Sequence, residues 1–485
     1  MSSHTWFEDD QTELDSLDEV RAPPPVQNRD QNESRRHDPY LEDNVRREPQ
    51  YHDRPSYNRY SLNRHQRSPS IGLPTAAQTL DEVIAPAPTH RSHAASYVNL
   101  EDTEEAKSST RRFSSRLDIA AVSHLVTVSY LVFFSILGTL ARLGVQWLTF
   151  YPGAPVTTSV LWANVGGSFF MGFLSEDRRL FQAPSFSQNN QPKSGISGSE
   201  LKAHHLKVKK TIPLYVGLAT GFCGSFTSFS SFMRDAFLAL SNDLPSPYSH
   251  PFPAGQALPG FSSHYSRHNG YSVLAVLAVL IYEPALSIAA LFVGAHAALL
   301  LDRLTPSIPY TFARHILDPL ILVLGFGCWI GAVLISIFPP NFAWRGEVLF
   351  ALVFAPLGCL LRFYASLKLN PLIASFPLGT FAVNIFGSTV LAVAYDLQRV
   401  TLHSVAGGSI AGCQVLQGIE DGFCGCLTTV STWVAEIQGL RRRHAYIYAL
   451  ASLGAGLAVM IIIMGSVRWT VGWASPVCTT MRTTS

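Results

Sequence analysis

Apolar stretches of about 20 residues, the length that crosses a bilayer as a helix, recur along the chain after residue 118. The 367 residues beyond that point carry only 13 acidic and 21 basic side chains. This is too little charge to cover a water-soluble globule of that size, and the slight basic excess gives no reason to expect nucleic-acid binding. The sequence therefore predicts an all-α polytopic membrane protein in contact with the lipid bilayer.

The apolar pattern predicts nine spans, with a polar tail before them. The spans are 121–148, 159–176, 212–240, 272–300, 316–338, 347–367, 377–397, 415–438 and 444–468. Residues 1–118 hold 21 of the 34 acidic side chains and few aliphatic ones, a composition typical of disordered segments. The expected organisation is a tail (1–118), a first repeat (119–302), a linker with a connecting helix (303–340), a second repeat (341–470) and a short tail (471–485).

Basic residues alternate between the loops, which predicts the orientation. If the tail is cytoplasmic, the inside loops contain most of the Lys and Arg, whereas the first outside loop, 150–158, has none. We therefore expect the N-terminus in the cytoplasm and the C-terminus outside.

An internal repeat defines the architecture. GTLAR (138–142) recurs as GCLLR (358–362), and ANVGGS (163–168) recurs as VNIFGS (383–388), both at an offset of 220 residues. GFCGSFTSFSSF (221–232) recurs as GFCGCLTTVSTW (422–433), at an offset of 201. Each copy has four spans, so the fifth span between them turns the second copy over. The sequence thus predicts two antiparallel (inverted) repeats, an arrangement common in transport proteins.

The recurring segments also contain the candidate site. Their glycines predict an unwound helix, which is tolerated at membrane depth only where it is buried or lines a cavity. Hydroxyls and amides can donate to an anion, and unwound carbonyls can bind a small hard cation. The candidate donors are Thr227, Ser228, Ser230, Ser231, Thr428, Thr429, Ser431, Thr432, Asn164 and Asn384. The alternative, that these small polar residues only hold helices together, explains a single copy better than two matched ones.

Three other features carry weaker predictions. No spacing typical of an enzyme or a zinc site is present. Glu283 is the one acid well inside an apolar run, but Pro284 beside it predicts a helix break near the outer interface. The seven cysteines lie mostly in apolar stretches without a disulfide-framework spacing, so we expect them to be small helix-packing residues.

These motifs, twice in the same order, resemble the family of fluoride channels and fluoride export proteins in its duplicated, fungal-type form. The resemblance covers about residues 120–470. It implies two four-span copies fused through a connecting helix, in agreement with the parity of the spans, and two pores.

The resemblance also implies roles for individual residues. The pore asparagine matches Asn164 and Asn384, and the two pore phenylalanines match Phe229 and Phe232, then Val430 and Trp433. A structural Na⁺ is implied on backbone carbonyls, and a structural role on the arginines of the first motif. The implied Na⁺ positions are Gly224, Thr227, Gly425 and Thr428, and the arginines are Arg142 and Arg362. The implied pore set is completed by Ser230, Thr429, Ser431, Thr432, Tyr448 and Ser452.

One departure from the family pattern predicts asymmetry. Family pores take one phenylalanine from each half, so Val430 leaves one pore short of an aromatic ring, whereas the pore that pairs Phe229 with Trp433 keeps two. The hypothesis is one competent and one degenerate pore.

The implied function is passive, fluoride-selective export across the plasma membrane by a monomer with two internal repeats, and not an enzymatic reaction. Two alternatives stay open on the residues alone. A secondary transporter of another small ion also fits inverted repeats, and a non-transporting membrane scaffold would show no flux.

Overall fold

Helices coincide with every predicted span. The computed structural model describes residues 102–149, 151, 154–181, 209–244, 269–338, 345–402, 405–406 and 409–480. The helices are α1 (Asp102–Thr149), α2 (Leu161–Glu176), α3 (213–226), α4 (Phe229–Ser241), α5 (Asn269–Leu300), α6 (310–337), α7 (345–369), α8 (Leu378–Arg399), α9 (410–427), α10 (Ser431–Gly439), α11 (442–470) and α12 (Val477–Thr480). All described residues belong to the unit Gly72–Ser485.

The fold is all-helical apart from one short hairpin in the described residues. Strands β1 (Thr401–Leu402) and β2 (Val405–Ala406) pair antiparallel between α8 and α9. Within the part of the chain that the structure describes, six helical segments are long and apolar enough to cross a membrane by length and composition. The remaining three predicted spans coincide with α2 and with two interrupted helices, α3 followed by α4 and α9 followed by α10.

The first helix begins earlier than the sequence predicts. It starts at Asp102, inside the stretch assigned to the tail, and runs without interruption to Thr149. The residues between Asp102 and the apolar segment contain few helix breakers, so the helix continues past the apolar boundary. The rest of the predicted tail, residues 1–101, lies outside the described residues.

Small residues bring α2 and α5 into close contact. A Cβ added to Gly172 of α2 would collide with the carbonyl oxygen of Leu291, and one added to Gly294 of α5 would collide with that of Phe169. Backbone approach of this kind is how helices associate in lipid, where the hydrophobic effect does not hold them together. Helix α8 packs against α11 in the second repeat, as α2 does against α5 in the first.

Helix α6 connects the repeats and is the most apolar of the six. Its segment Ala313–Ile337 has a mean hydropathy of 2.5, and only 22% of its most apolar window is buried in the protein. It packs against α1 and α7. Side chains such as Val323 (70% exposed) and Ile330 (58%) face away from the protein and suit contact with lipid tails.

Two cysteines are paired, contrary to the prediction of seven packing residues. Cys413 of α9 and Cys478 of α12 form a disulfide across a sequence separation of 65 residues. The segment before Cys478 folds back onto α8, where Trp473 Nε1 donates to Asp396 Oδ1 at 2.9 Å. Arg468 also binds Asp243 near the end of α4 at 2.9 Å. Sequence spacing cannot show this pairing, because the two cysteines meet only after α9, α10 and α11 have packed.

Candidate ion-conduction site

Two interrupted helices meet in the interior with nearly the same backbone geometry. Helix α3 ends at Phe226, and Thr227 is extended with φ −96° and ψ 152°. Helix α9 ends at Leu427, and Thr428 is extended with φ −92° and ψ 153°. The predicted unwinding is therefore confirmed in both copies. The glycines themselves stay helical, however, with Gly224 and Gly425 both in the α-region.

The two matched asparagines hold the unwound backbone. Asn164 Oδ1 accepts a hydrogen bond from Ser228 N at 2.8 Å, and Asn384 Oδ1 accepts one from Thr429 N at 2.9 Å. Both asparagines are fully buried. The oxygen of each amide therefore accepts a hydrogen bond from a backbone N–H that the broken helix leaves without a helical partner. The NH₂ group of the same amide can donate to other partners.

The threonines of the breaks cap the helices of the opposite repeat. Thr227 Oγ1 accepts from Val430 N and Ser431 N, both at 3.1 Å, at the start of α10. Thr428 Oγ1 accepts from Ser230 N at 3.0 Å, at the start of α4. The first turn of each short helix is thus capped by a hydroxyl from the other copy. This exchange docks the two repeats at their polar centre.

The remaining predicted hydroxyls extend the same cluster. Ser431 Oγ donates to the Cys223 carbonyl at 3.1 Å, and Ser230 Oγ lies 3.0 Å from Thr428 Oγ1. Thr429 and Thr432 contact each other at 3.4 Å at the start of α10. Most of these hydroxyls therefore hold backbone or one another.

The two arginines reach across the interface. Arg142 Nη1 donates to the Ser225 carbonyl at 2.7 Å, and its Nη2 donates to the Asp421 carbonyl of the other repeat. Arg362 Nε donates to the Cys426 carbonyl at 2.8 Å, and its Nη2 reaches Thr220 O of the first repeat at 2.9 Å. Both guanidinium groups are buried, and they offset the partial negative charge on carbonyls of the broken helices.

Aromatic rings of α4 and α10 meet beside α11. Phe229 contacts Trp433 with ring centroids 5.6 Å apart, which is the pairing that the sequence predicts for the more complete pore. A Cβ on Gly456 of α11 would lie 3.0 Å from the Phe229 ring. On the same helix, Tyr448 and Ser452 are buried, and the Tyr448 hydroxyl donates to Glu436 Oε2 at 2.7 Å. We call the region between α4, α8 and α11 the second-repeat pathway.

The opposite region lies between α2, α5 and α10 and is called the first-repeat pathway. Val430 stands at the start of α10, and Phe232 contacts Phe229 at 5.8 Å. Glu283 of α5 reaches this region, and its Oε2 accepts from Asn164 Nδ2 at 3.2 Å. The break predicted at Pro284 is wrong, because α5 continues through the proline and keeps Glu283 buried in the interior.

Several buried donors in these pathways have no hydrogen-bond partner among the described residues. The group comprises Trp433 Nε1 and the hydroxyls of Ser168, Ser388 and Ser287. Ser168 and Ser388 lie one helical turn beyond the two asparagines, on the same helix faces. Sequence reasoning did not select these serines, although they end the two matched motifs. Unpartnered donors in a dry interior are groups that a desolvated anion can use.

Two docked copies around buried, partly unpartnered donors, in a chain whose described residues include six helices long and apolar enough to cross a membrane, are features of a membrane protein with a polar interior. The CrcB-like protein (camphor resistance) family model matches residues 129–247 and again 349–466. Fluoride export protein 1 of Neurospora crassa is 53% identical over 378 residues, covering 73% of this chain and 69% of that protein.

Two further relatives agree with this match. Fluoride export protein 1 of Candida albicans is 31% identical over 372 residues, covering 76% of this chain and 85% of its own length. The fluoride-specific ion channel FluC of Serratia proteamaculans is 34% identical over 107 residues, which is 22% of this chain and 79% of the bacterial protein. No solved structure matches. The chain belongs to the CrcB-like family, in its duplicated form.

The glycines that stay helical generate a packing prediction. A Cβ on Gly224 would collide with the Arg362 guanidinium, whereas one on Gly454 would meet nothing within 4 Å. We expect Gly224→Ala to destabilise the purified protein by about 1–3 kcal/mol, because the buried arginine must give up its carbonyl partners. Thermal melting in detergent measures this, with Gly454→Ala as the matched control. Equal melting temperatures for the two variants would contradict the packing of Arg362 on Gly224.

Proposed function

We propose that the protein is a fluoride-selective channel that exports fluoride from the cytoplasm across the plasma membrane. The observation that carries this proposal is the pair of docked helix breaks surrounded by buried donors without partners, in a chain whose relatives are named fluoride export proteins and a fluoride-specific ion channel. An inside-negative membrane potential favours the exit of an anion by about 2.3 kcal/mol per charge per 100 mV. An open pathway is then sufficient for export without a second energy source.

Fluoride requires strong donors in place of its water shell, and the second-repeat pathway offers them. The Trp433 indole N–H is buried and unpartnered, and it lies beside Phe229. Asn384 Nδ2 donates one hydrogen to the Thr429 carbonyl at 3.2 Å, which leaves its second hydrogen available. The ring edge of Phe229 carries positive quadrupole character and can also face an anion. Donors that replace the water shell of an ion in a narrow path favour a small anion over chloride.

The proposed architecture has nine spans and two antiparallel repeats. Helix α2 and the interrupted pairs α3–α4 and α9–α10 would cross the membrane in addition to the six long apolar segments. Each short helix begins at the hydroxyl of the other repeat, which fits a two-fold relation between the repeats. The single connecting span between two four-span copies would make that relation antiparallel. Since one chain supplies both copies, we propose that a monomer in the lipid bilayer is sufficient.

The residues at the breaks fit a structural Na⁺. Within the described residues, the carbonyls of Thr227 and Thr428 accept no hydrogen bond, and each follows the C-terminal, negative end of a helix. Oxygen ligands of this kind suit a small hard cation. We propose that the carbonyls of Gly224, Thr227, Gly425 and Thr428 would hold it. When bound, the ion would supply fixed positive charge between the repeats, next to the two buried arginines.

The disulfide supports the proposed orientation. Cys413 and Cys478 lie on the face that the basic residues of the loops predict to be outside, where oxidising conditions allow disulfides to persist. The N-terminus would then be cytoplasmic and the C-terminus extracellular.

The function is tested by ion efflux from liposomes that contain the purified full-length chain. With a potassium gradient and valinomycin, we expect rapid fluoride efflux at a fluoride electrode and no chloride efflux. Fluoride flux that requires a proton or sodium gradient would instead indicate a secondary transporter. Absence of flux, with a chain that stays folded after replacement of Asn164 and Asn384, would indicate a scaffold.

The asymmetry of the aromatic rings is tested in the same assay. We expect Phe229→Ile to lower fluoride efflux about tenfold, corresponding to ~1.4 kcal/mol of barrier, because it removes one ring of the Phe229–Trp433 pair. Phe232→Ile is the matched control and should have a smaller effect, because its predicted partner position is Val430. Equal losses in the two variants would remove the hypothesis of one competent pore.

The orientation is tested with the same epitope at either end of the chain. Antibody should bind an epitope placed after residue 485 on intact cells, and should bind the N-terminal epitope only after permeabilisation. The reverse pattern would overturn the orientation and the extracellular position of the disulfide.

A further inference from the structure

Glu283 of α5 resembles Tyr448 of α11 in its placement, as a buried polar residue four positions before a buried serine. Helices α5 and α11 are the last helices of their repeats, and each carries two fully buried polar residues spaced by four positions. These are Glu283 and Ser287 on α5, and Tyr448 and Ser452 on α11. Residues at this spacing share a helix face, and α5 and α11 each pack against the asparagine helix of their own repeat, α2 or α8. The two pathways therefore differ by a carboxyl in place of a phenol.

The Glu283 carboxyl accepts a hydrogen bond from the Asn164 amide that an incoming anion would need. An asparagine NH₂ group has two hydrogens to donate. In the second repeat, Asn384 uses one on the Thr429 carbonyl, and the other has no partner among the described residues. In the first repeat, Asn164 directs one towards the Ser228 carbonyl at 3.5 Å and the other to Glu283 Oε2 at 3.2 Å. Only the second-repeat asparagine retains a donor for an incoming ion.

Glu283 has no cation to balance it within the described residues. Its Oε1 is buried without a hydrogen-bond partner, and none of the ion pairs there includes it. An acid retained inside the membrane without a partner is costly, so its presence calls for a function. In either protonation state a carboxyl oxygen can accept the hydrogen bond from Asn164 Nδ2, and in the ionised state the carboxylate also repels a fluoride anion.

We propose that the side chain of Glu283 occupies the first-repeat pathway. Its carboxyl closes this pathway to fluoride by accepting the hydrogen bond of the Asn164 amide. This inference rests on the proposed fluoride flux. In this proposal the first-repeat pathway is closed by a side chain that fills it. The hypothesis drawn from the sequence attributed the loss of conduction to the missing aromatic ring at Val430. Conduction is then left to the second-repeat pathway.

The test uses the full-length chain in liposomes, with fluoride efflux as the measurement. Asn384→Ala should lower efflux at least about tenfold, equivalent to ~1.4 kcal/mol. Asn164→Ala should lower it by a smaller factor, because Asn164 also accepts the hydrogen bond of Ser228 N in the shared centre. Adding Glu283→Ala, or Glu283→Tyr to copy the second repeat, to Asn384→Ala should restore efflux several-fold. A further Asn164→Ala should abolish the restored efflux.

Asp318→Asn in the Asn384→Ala background is the matched control, since Asp318 is a buried acid of α6 that binds Tyr130 and Arg314 away from both pathways. It should restore nothing. Gel filtration checks that each variant is folded. If Glu283→Ala aggregates, Glu283→Tyr is used in its place.

Three results would overturn the role of Glu283. Asn164→Ala could lower efflux as much as Asn384→Ala, which would mean that the first-repeat pathway conducts. Folded Glu283 single variants could lose efflux, which would make the carboxyl part of conduction. The double variants could fail to recover while the Glu283 single variants retain full efflux. Failure of the proposed function is distinct, because the unaltered chain would then show no fluoride efflux.

Discussion

The reciprocal capping of the two helix breaks is the interaction on which the rest of the structure depends. At membrane depth no water is available, so backbone groups released by a break must be satisfied by the protein. Thr227 provides this at the start of α10, and Thr428 provides it at the start of α4. Within each repeat the asparagine satisfies one freed donor, Ser228 N or Thr429 N, and the hydroxyl of the opposite repeat satisfies others. The polar centre therefore exists only where the two copies meet.

Two arginines and two glycines form further contacts that require both repeats. Arg142 and Arg362 each bind carbonyls of both repeats, and each guanidinium packs against a glycine of the opposite copy. Glycine is required at 224 and 425 because the guanidinium fills the space of a side chain, and not because the backbone bends there. The shared framework is thus strongly two-fold, whereas the groups that line the pathways differ between the copies. Such a framework can keep its stability while only one pathway keeps the donors for an ion.

Much of the site was predictable from recurrence in the sequence. Asn164 and Asn384 were selected because matched polar residues inside apolar spans are costly unless they have a role, and both stand at the breaks. The break predicted at Pro284 was wrong, because α5 continues through the proline while it packs closely against α2, and a proline costs a transmembrane helix little when neighbours support it. Ser168 and Ser388 were missed although they recur, because a serine in an apolar helix is usually a packing residue.

The sequence by itself determined the apolar spans, the duplication and the positions where the helices break, because these follow from local composition and from recurrence along the chain. Only the tertiary structure decided which groups meet. The Cys413–Cys478 disulfide, the contact of Glu283 with Asn164 and the crossed arginine bonds each join residues 65 or more positions apart. Such contacts depend on how helices turn and slide against one another in lipid, and close packing of small residues sets this to within ångströms. Hydrogen bonds form only within about 3.5 Å, so patterns along the sequence cannot specify them.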